Sequence, residues 1–469
     1  MSFFSLTRPV SIIERKTVNT FEPAHPDYYD GPAGKPLRLM LQARQDFLSI
    51  WRENDYQDQV TSWNALGRKV IIANSPAAIE YALVERKENF ERKTPQMRRA
   101  LEFLIGDGLF ISDGETWSQR RPLVGDIVHK SRVPSFGPLM SAATHVLAER
   151  WDRLPAGTTV NMLDEMAGLT AEIIAQSVFG SQLGREACQV VSEGFTGYQS
   201  SVDSINPGYF LGFDNGCPIM RTPKISRAVR SIHRVVDQII EAHIAGKGDN
   251  NSMVDLLIQR QRKSPELNLD MVALRNEAAT IFMAGHETTA ATLTWAWYLL
   301  SNAPWVEKKL LDEISDVCGS RSPTIDDVPN LVWAKAIIEE TLRLYPPVPI
   351  LGRQAKEADQ ISGIQIKPAS LILIVPWLLH RTEAFFPEPD LFRPERFIDN
   401  KPLPYSYLPF AIGPRVCPGL QFGRVESILC LVILAQRFKV RVKDGFKVRP
   451  LCRLTLRPDG GLPVSLEPR

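Results

Sequence analysis

A mainly α fold with a smaller β-rich part is what this sequence predicts, on three observations. Helical apolar patterns dominate up to about residue 345. One of them, over 269–300, runs unbroken for about 32 residues, or roughly 48 Å of helix. The 35 prolines thicken after residue 345, where short strand patterns take over. In chain order, residues 69–73 (KVIIA) read as a strand. Ser75-Pro76 then reads as an N-cap followed by proline at the first helical position, opening a helix through AAIEYALVERKENF. The helix over 269–300 is apolar enough to be central and buried. A further helix over 328–344 is stopped by Tyr345-Pro346-Pro347. Residues 370–375 read as a strand and 419–438 as a last apolar helix.

Composition excludes several classes. Of 469 residues, 44% are hydrophobic and 23% charged, which is globular rather than disordered or collagen-like. Lys and Arg number 55 against 53 Asp and Glu, so a chain built to grip nucleic acid is not expected. No repeat, low-complexity stretch or dividing linker is present, and a single domain over 1–469 is expected. The six cysteines show no CxxC spacing, which argues against a zinc ribbon. Their sparseness points to a reducing, cytoplasmic setting with most of them acting as small buried hydrophobes. The longest apolar run, 371–379, is interrupted by Pro376 and is far short of the roughly 20 residues of a membrane span. A soluble protein without a spanning anchor is expected.

The strongest chemical signal is Phe410-Ala-Ile-Gly413-Pro-Arg415-Val-Cys417-Pro-Gly419. Cys417 precedes a long helix, whose N-terminal dipole favours negative charge on sulfur. Arg415 adds a cation, and both would depress the thiol pKa. Gly413 and Gly419 allow a tight loop and close approach by something large. A lone thiolate held in a rigid loop suits a single axial metal bond, as in haem-thiolate proteins.

These residues match FxxGxRxCxG at every fixed position, the haem-binding signature of the cytochrome P450 family, which the chain resembles from about residue 40 to 460. Other landmarks follow in register. Glu340-Thr-Leu-Arg343 is similar to the family's ExxR. The i,i+3 spacing puts both side chains on one helix face, and Arg396 of Pro394-Glu395-Arg396-Phe397 matches the third member of that buried structural network. Ala284-Gly285-His286-Glu287-Thr288-Thr289 resembles the oxygen-binding groove. Gly285 opens it, Glu287 and Thr288 match the acid–alcohol pair that delivers protons to dioxygen, His286 is a variable position, and Thr289 packs or bonds back to its own helix. Trp117 and Arg121 match WxxxR and, with Arg353 and Arg415, imply contacts to haem propionates, since guanidinium suits carboxylates. Arg120 is expected to be a solvated cation.

The resemblance implies a cytochrome P450 fold, haem b with Cys417 as axial ligand, and a monooxygenase of the eukaryotic-like, fatty-acid-hydroxylase-like branch in a soluble bacterial form. It implies substrate contacts at Leu104, Ala284, Val348 and Ile350, and hence an apolar organic substrate to be hydroxylated or epoxidised with O2. The stretch after Cys417 is too short for a flavin or iron–sulfur module, so no fused reductase is expected. Electrons would come from an external ferredoxin or flavodoxin and its reductase, docking on a basic face with Arg121, Lys130, Arg132 and Arg424. A peroxide-driven peroxygenase or an isomerase on the same fold would not need the acid–alcohol pair. A haem sensor or electron carrier would not need the groove.

Overall fold

The computed structural model describes residues 19–31, 36–65, 67–155, 157–180, 222–248 and 252–469, with a few more between 190 and 198. Cys188 and Cys217 lie outside the described residues. The elements that build the site are strands β1 (Val60–Ala65) and β2 (Arg68–Ala73), helices α1 (Pro95–Ile105), α2 (Gly114–Ile127), α3 (Val133–Asp152), α4 (Met162–Phe179), α5 (Met271–Asn302) and α6 (Val332–Leu344), strands β3 (Leu351–Gln354) and β4 (Leu371–Ile374), helix α7 (Leu420–Arg437), and strands β5 (Pro450–Cys452) and β6 (Leu456–Pro458).

Helix α5 is the axis of the fold. Asp270 caps it by accepting from the Ala273 N–H at 2.8 Å, and Ala303 breaks it ahead of Pro304. It is buried on nearly every side, against α4, α6, α7 and β6. Such burial explains why its sequence is apolar all round instead of striped. The predicted start of α6 comes four residues early. Pro329 cannot donate within an α-helix, and residues Ile325–Asn330 form a 3-10 turn before α6 begins at Val332. The helix after Ser75 also differs from expectation: Pro76–Glu80 is α, Tyr81–Glu85 widens to a π turn, and Lys87–Phe90 resumes α. Ser75 does cap it, through Ala78 N–H at 3.1 Å.

The main sheet has the order β1-β2-β4-β3. Strands β2 and β4 pair parallel with Val70 opposite Leu371, and β3 pairs antiparallel with Arg353 opposite Ile372. This register turns Arg353 away from solvent, at 1% exposure.

One ion network joins α6 to the chain leading into the Cys417 loop. Arg343 and Glu340 are fully buried and bonded twice, at 2.6 and 2.8 Å. Arg343 also donates to the carbonyls of His380, Pro389 and Leu391. Glu340 accepts from Arg393 N–H at 2.8 Å and lies 3.5 Å from Arg396 Nε. Every donor of the guanidinium is used, which such a buried charge demands.

His380 extends the network. Its Nδ1 donates to Arg343 O and its Nε2 accepts from Leu408 N–H, which fixes a neutral ring. Burial and the nearby Arg343 hold its pKa down to about 3, and burial holds His286 down to about 4. As pH falls below the ordinary value near 6.5, the unfolded chain takes up protons that the folded chain refuses. The stabilisation present above 6.5 is therefore lost progressively toward pH 4. Each histidine should remove about 2 kcal/mol by pH 5. Denaturant unfolding of the wild type and of His380→Gln at pH 7.5 and 5.0 checks this: the variant should lose less stability between the two.

Candidate active site

The loop ahead of α7 is set by backbone contacts. Cys417 N–H donates to Phe410 O at 2.9 Å, closing the turn. Gly413 has φ +72°, and a Cβ there would lie 2.2 Å from Leu83 O, so only glycine lets the loop seat on the π turn. At Gly419 a Cβ would stand 3.9 Å from Cys417 Sγ, an ordinary contact, so the protein alone does not require that glycine. Cys417 borders a cavity of about 290 Å3. Burial pushes its thiol pKa up, against the Gly419 N–H, Arg121 and Lys93, which pull it down. The expected depression by the helix dipole and Arg415 is thus outweighed by desolvation, and the group is a thiol until something else draws off the proton.

Across the cavity, α5 opens a one-turn window. Ala284, Gly285, Glu287 and Thr288 are the stretch of its middle that is not buried, and all four line the cavity. Thr288 Oγ1 donates to Ala284 O at 2.7 Å, leaving its lone pairs toward the open space. A Cβ at Gly285 would press within 2.7 Å of Ile174, so this glycine also lets α4 pack closely on α5. His286 points the other way, buried against Phe282. Thr289 is buried at the cavity edge.

Cations gather at one end. Lys93, Arg121 and Arg415 line the cavity, with Trp117 under the Arg415 guanidinium at 4.2 Å. Arg353 and Arg415 stand in the wall of an adjoining smaller cavity of about 110 Å3. Arg415 Nη1 reaches Ser112 O and Arg353 Nη1 reaches its own neighbour's carbonyl, Gly352 O. Nε and Nη2 of both arginines are buried with no partner. Desolvation holds both pKa values down to about 10, with Arg415 adding to the effect on Arg353. Buried donors left unmet are costly, so the arrangement calls for a ligand carrying carboxylate oxygens beside an apolar body. A haem, with two propionates on a flat apolar ring, fits this donor set and the thiol opposite α5.

A family model described as "Cytochrome P450" matches residues 37–462. The chain belongs to the cytochrome P450 family. It is 30% identical over 452 residues to cyclooctatin synthase of Streptomyces melanosporofaciens, covering 93% of this chain and 95% of that one. It is 27% identical to cytokinin hydroxylase of Arabidopsis thaliana, covering 88% and 81%. The crystal structure of the cytochrome P450DA heme domain shares the fold with a TM-score of 0.77 at 22% identity, covering 96% of this chain and 97% of that one. This cytochrome P450 is a haem monooxygenase, of a family that uses redox partners and O2 on organic substrates. Among its described residues no helix is long and apolar enough to cross a membrane.

Against the sequence-based expectations, Ala284, Val348 and Ile350 line the cavity, as do Phe410 and Gly419. Leu104 does not. It shares a face of α1 with Met97 and Leu101, which do line the cavity, but it lies where the helix has passed the cavity's end. There it is 1% exposed, and His233 donates to its carbonyl at 2.8 Å. Of the four basic residues expected on a docking face, Arg121 turns into the cavity, Arg132 pairs with Asp126, Arg424 pairs with Glu339, and Lys130 is exposed. Lys93 was missed, having no motif around it. So were Leu109, Phe110, Leu454 and Thr455.

Arg120 is the clearest correction. It is not a solvated cation: Nη1 donates to Glu277 at 2.9 Å and to Asp107 O at 2.7 Å. Glu277, 1% exposed on α5, also accepts from Leu109 N–H. The pair therefore clamps the loop carrying Leu109 and Phe110 against α5. Gly108 assists, since a Cβ there would lie 2.1 Å from Thr280 Oγ1. Arg120→Met leaves a buried carboxylate unpaired and should cost about 3 kcal/mol. Arg120→Met/Glu277→Leu should recover most of it, and unfolding titrations of the two variants measure the difference.

Proposed function

We propose that this chain is the catalytic component of a multi-protein monooxygenase acting on an apolar substrate, in which Cys417 would hold the iron of haem b through its sulfur. The observation that carries the reading is the meeting, in one cavity, of the Cys417 thiol, the α5 window and Arg415, whose unmet N–H groups are joined by those of Arg353 in the wall of the adjoining cavity. Trp117, Arg121, Arg353 and Arg415 would hold the propionates, with Lys93 adding a further cation. Haem, once bound, supplies the chemistry of dioxygen activation, and the thiolate ligand favours O–O cleavage. To hold the iron, Cys417 would have to give up the proton that burial otherwise keeps on it.

The chain's own residues do the rest. Glu287 acts as the acid and Thr288 as the relay: the Thr288 hydroxyl donates to Ala284 O, so its oxygen can accept a proton from Glu287, and its own proton must leave that carbonyl before it passes onward. Met97, Leu101, Leu109, Phe110, Val348 and Ile350 exclude water and hold the substrate by apolar contact. That lining supports a hydrocarbon-like substrate, and the family supports hydroxylation or epoxidation. A separate ferredoxin or flavodoxin with its reductase would deliver the electrons.

The test is the carbon monoxide difference spectrum of the reduced, haem-loaded protein. The wild type should give the strongly red-shifted Soret band of thiolate ligation. Cys417→Ser should lose it with the fold intact by circular dichroism. A wild-type band at the position of histidine-ligated haem would overturn the assignment of Cys417. Thr288→Ala should keep the band and form less product per oxygen consumed, the lost fraction emerging as peroxide.

A further inference from the structure

The helix Pro223–Ile244 turns one face inward and leaves the other bare. Ile225, Ile232, Val236, Ile240 and His243 are buried, and the helix packs on α5 and α1. Its contact with α1 includes the bond from His233 to Leu104 O, and α1 carries Met97 and Leu101 of the cavity wall. On the opposite face stand Arg227, Arg230 and Arg234, all exposed. They fall within about 60° of arc and about 10 Å of length, so they form one row. Exposed Lys224 stands one turn before it. Among the described residues, none of the three arginines has an ion pair or a hydrogen bond. The nearest acid along the helix, Asp237, is taken by Arg275 of α5 at 2.8 Å. Glu241 is exposed two turns beyond Arg234.

This row works against the helix that carries it. Arg227 with Arg230, and Arg230 with Arg234, are like charges at i,i+3 and i,i+4. Lys224 sits in the first turn, where the helix dipole disfavours a cation and no acid offsets it. An anionic partner removes that repulsion. Every exposed position from 224 to 241 is polar or charged, so the face has no apolar side chain to bury in a bilayer. The chain's net charge of +2 gives no broad basic field for nucleic acid. A row about 10 Å long and one side chain wide matches a second helix with carboxylates at the same spacing. A partner seated there stands over α1 at the wall of the substrate cavity, whereas an electron donor has to approach the Cys417 loop. We propose that this face docks an acidic protein that carries the apolar substrate and presents such a helix. The delivery half of the inference rests on the substrate being apolar; the docking half does not.

The experiment uses the haem-loaded enzyme and, as probe, an acyl carrier protein bearing a dodecanoyl chain. Fluorescence anisotropy follows binding, and absorbance follows the haem spin state. The wild type should bind the probe, and binding should weaken as salt rises. Arg227→Glu/Arg230→Glu/Arg234→Glu should bind it about tenfold more weakly, with an unchanged spin-state response to free apolar compounds. A probe whose acidic helix is reversed to lysine should prefer the reversed enzyme over the wild type. Equal binding by wild type and triple variant, or no binding by the wild type at low ionic strength, overturns the proposal. So does charge-dependent binding of the wild type to phosphatidylglycerol vesicles and not to the carrier, which would make the face a membrane contact. If a panel of free apolar compounds leaves the spin state of both enzymes unmoved, the apolar-substrate reading fails and delivery fails with it, while carrier binding still decides the docking face.

Discussion

The rest of the structure depends on the buried pair of Arg343 and Glu340. Two charges at zero exposure are tolerable only when every donor and acceptor is used. Meeting that demand recruits carbonyls from three points between residues 380 and 391 and an N–H from residue 393. The chain after β4 has little regular structure to hold it, and this network stands in for a sheet or a helix pair. It carries the path forward to Phe410, whose carbonyl closes the Cys417 loop. The geometry of a thiol is thus set by a charge pair some 75 residues earlier, with no contact needed between them.

The cavity itself reverses the logic of that network. At Arg343 the protein satisfies its charge completely. At Arg353 and Arg415 it buries guanidinium groups and leaves N–H donors unmet. The two treatments separate scaffold from binding site more sharply than polarity would, since both sets are arginines and in both the guanidinium donors concerned are buried. The larger cavity beside the unmet donors is walled mainly by apolar side chains, so a ligand must bring its own anionic oxygens at one end and an apolar body at the other.

How much was legible in the sequence follows from how local each interaction is. Cys417, Arg415 and Phe410 could be read because their chemistry fits within one short loop, and Glu340 with Arg343 because i,i+3 is a helix contact. Arg120 could not, since its partner Glu277 is 157 residues away. Leu104 and Leu101 are indistinguishable by helical face, and only the packing of neighbouring helices decides where the cavity ends. The 32-residue helix α5 was plain from its apolar continuity, whereas the delayed start of α6 hinged on one proline. Lys93 sits just before the Thr94 cap of α1 with nothing around it to mark it.

The unmet donors at Arg353 and Arg415 have a consequence for the chain as a folding polymer. Ligand that binds only the folded state stabilises it by mass action, and the gain is largest where the empty site is most costly. Here the site carries buried cations and a thiol that holds its proton, all of which a haem would relieve at once. Cellular haem supply therefore acts on the amount of this protein as well as on its activity. Under scarcity, newly made chains dwell longer in open forms exposed to proteases, and the steady-state level falls before any loss of catalytic competence in the molecules that remain.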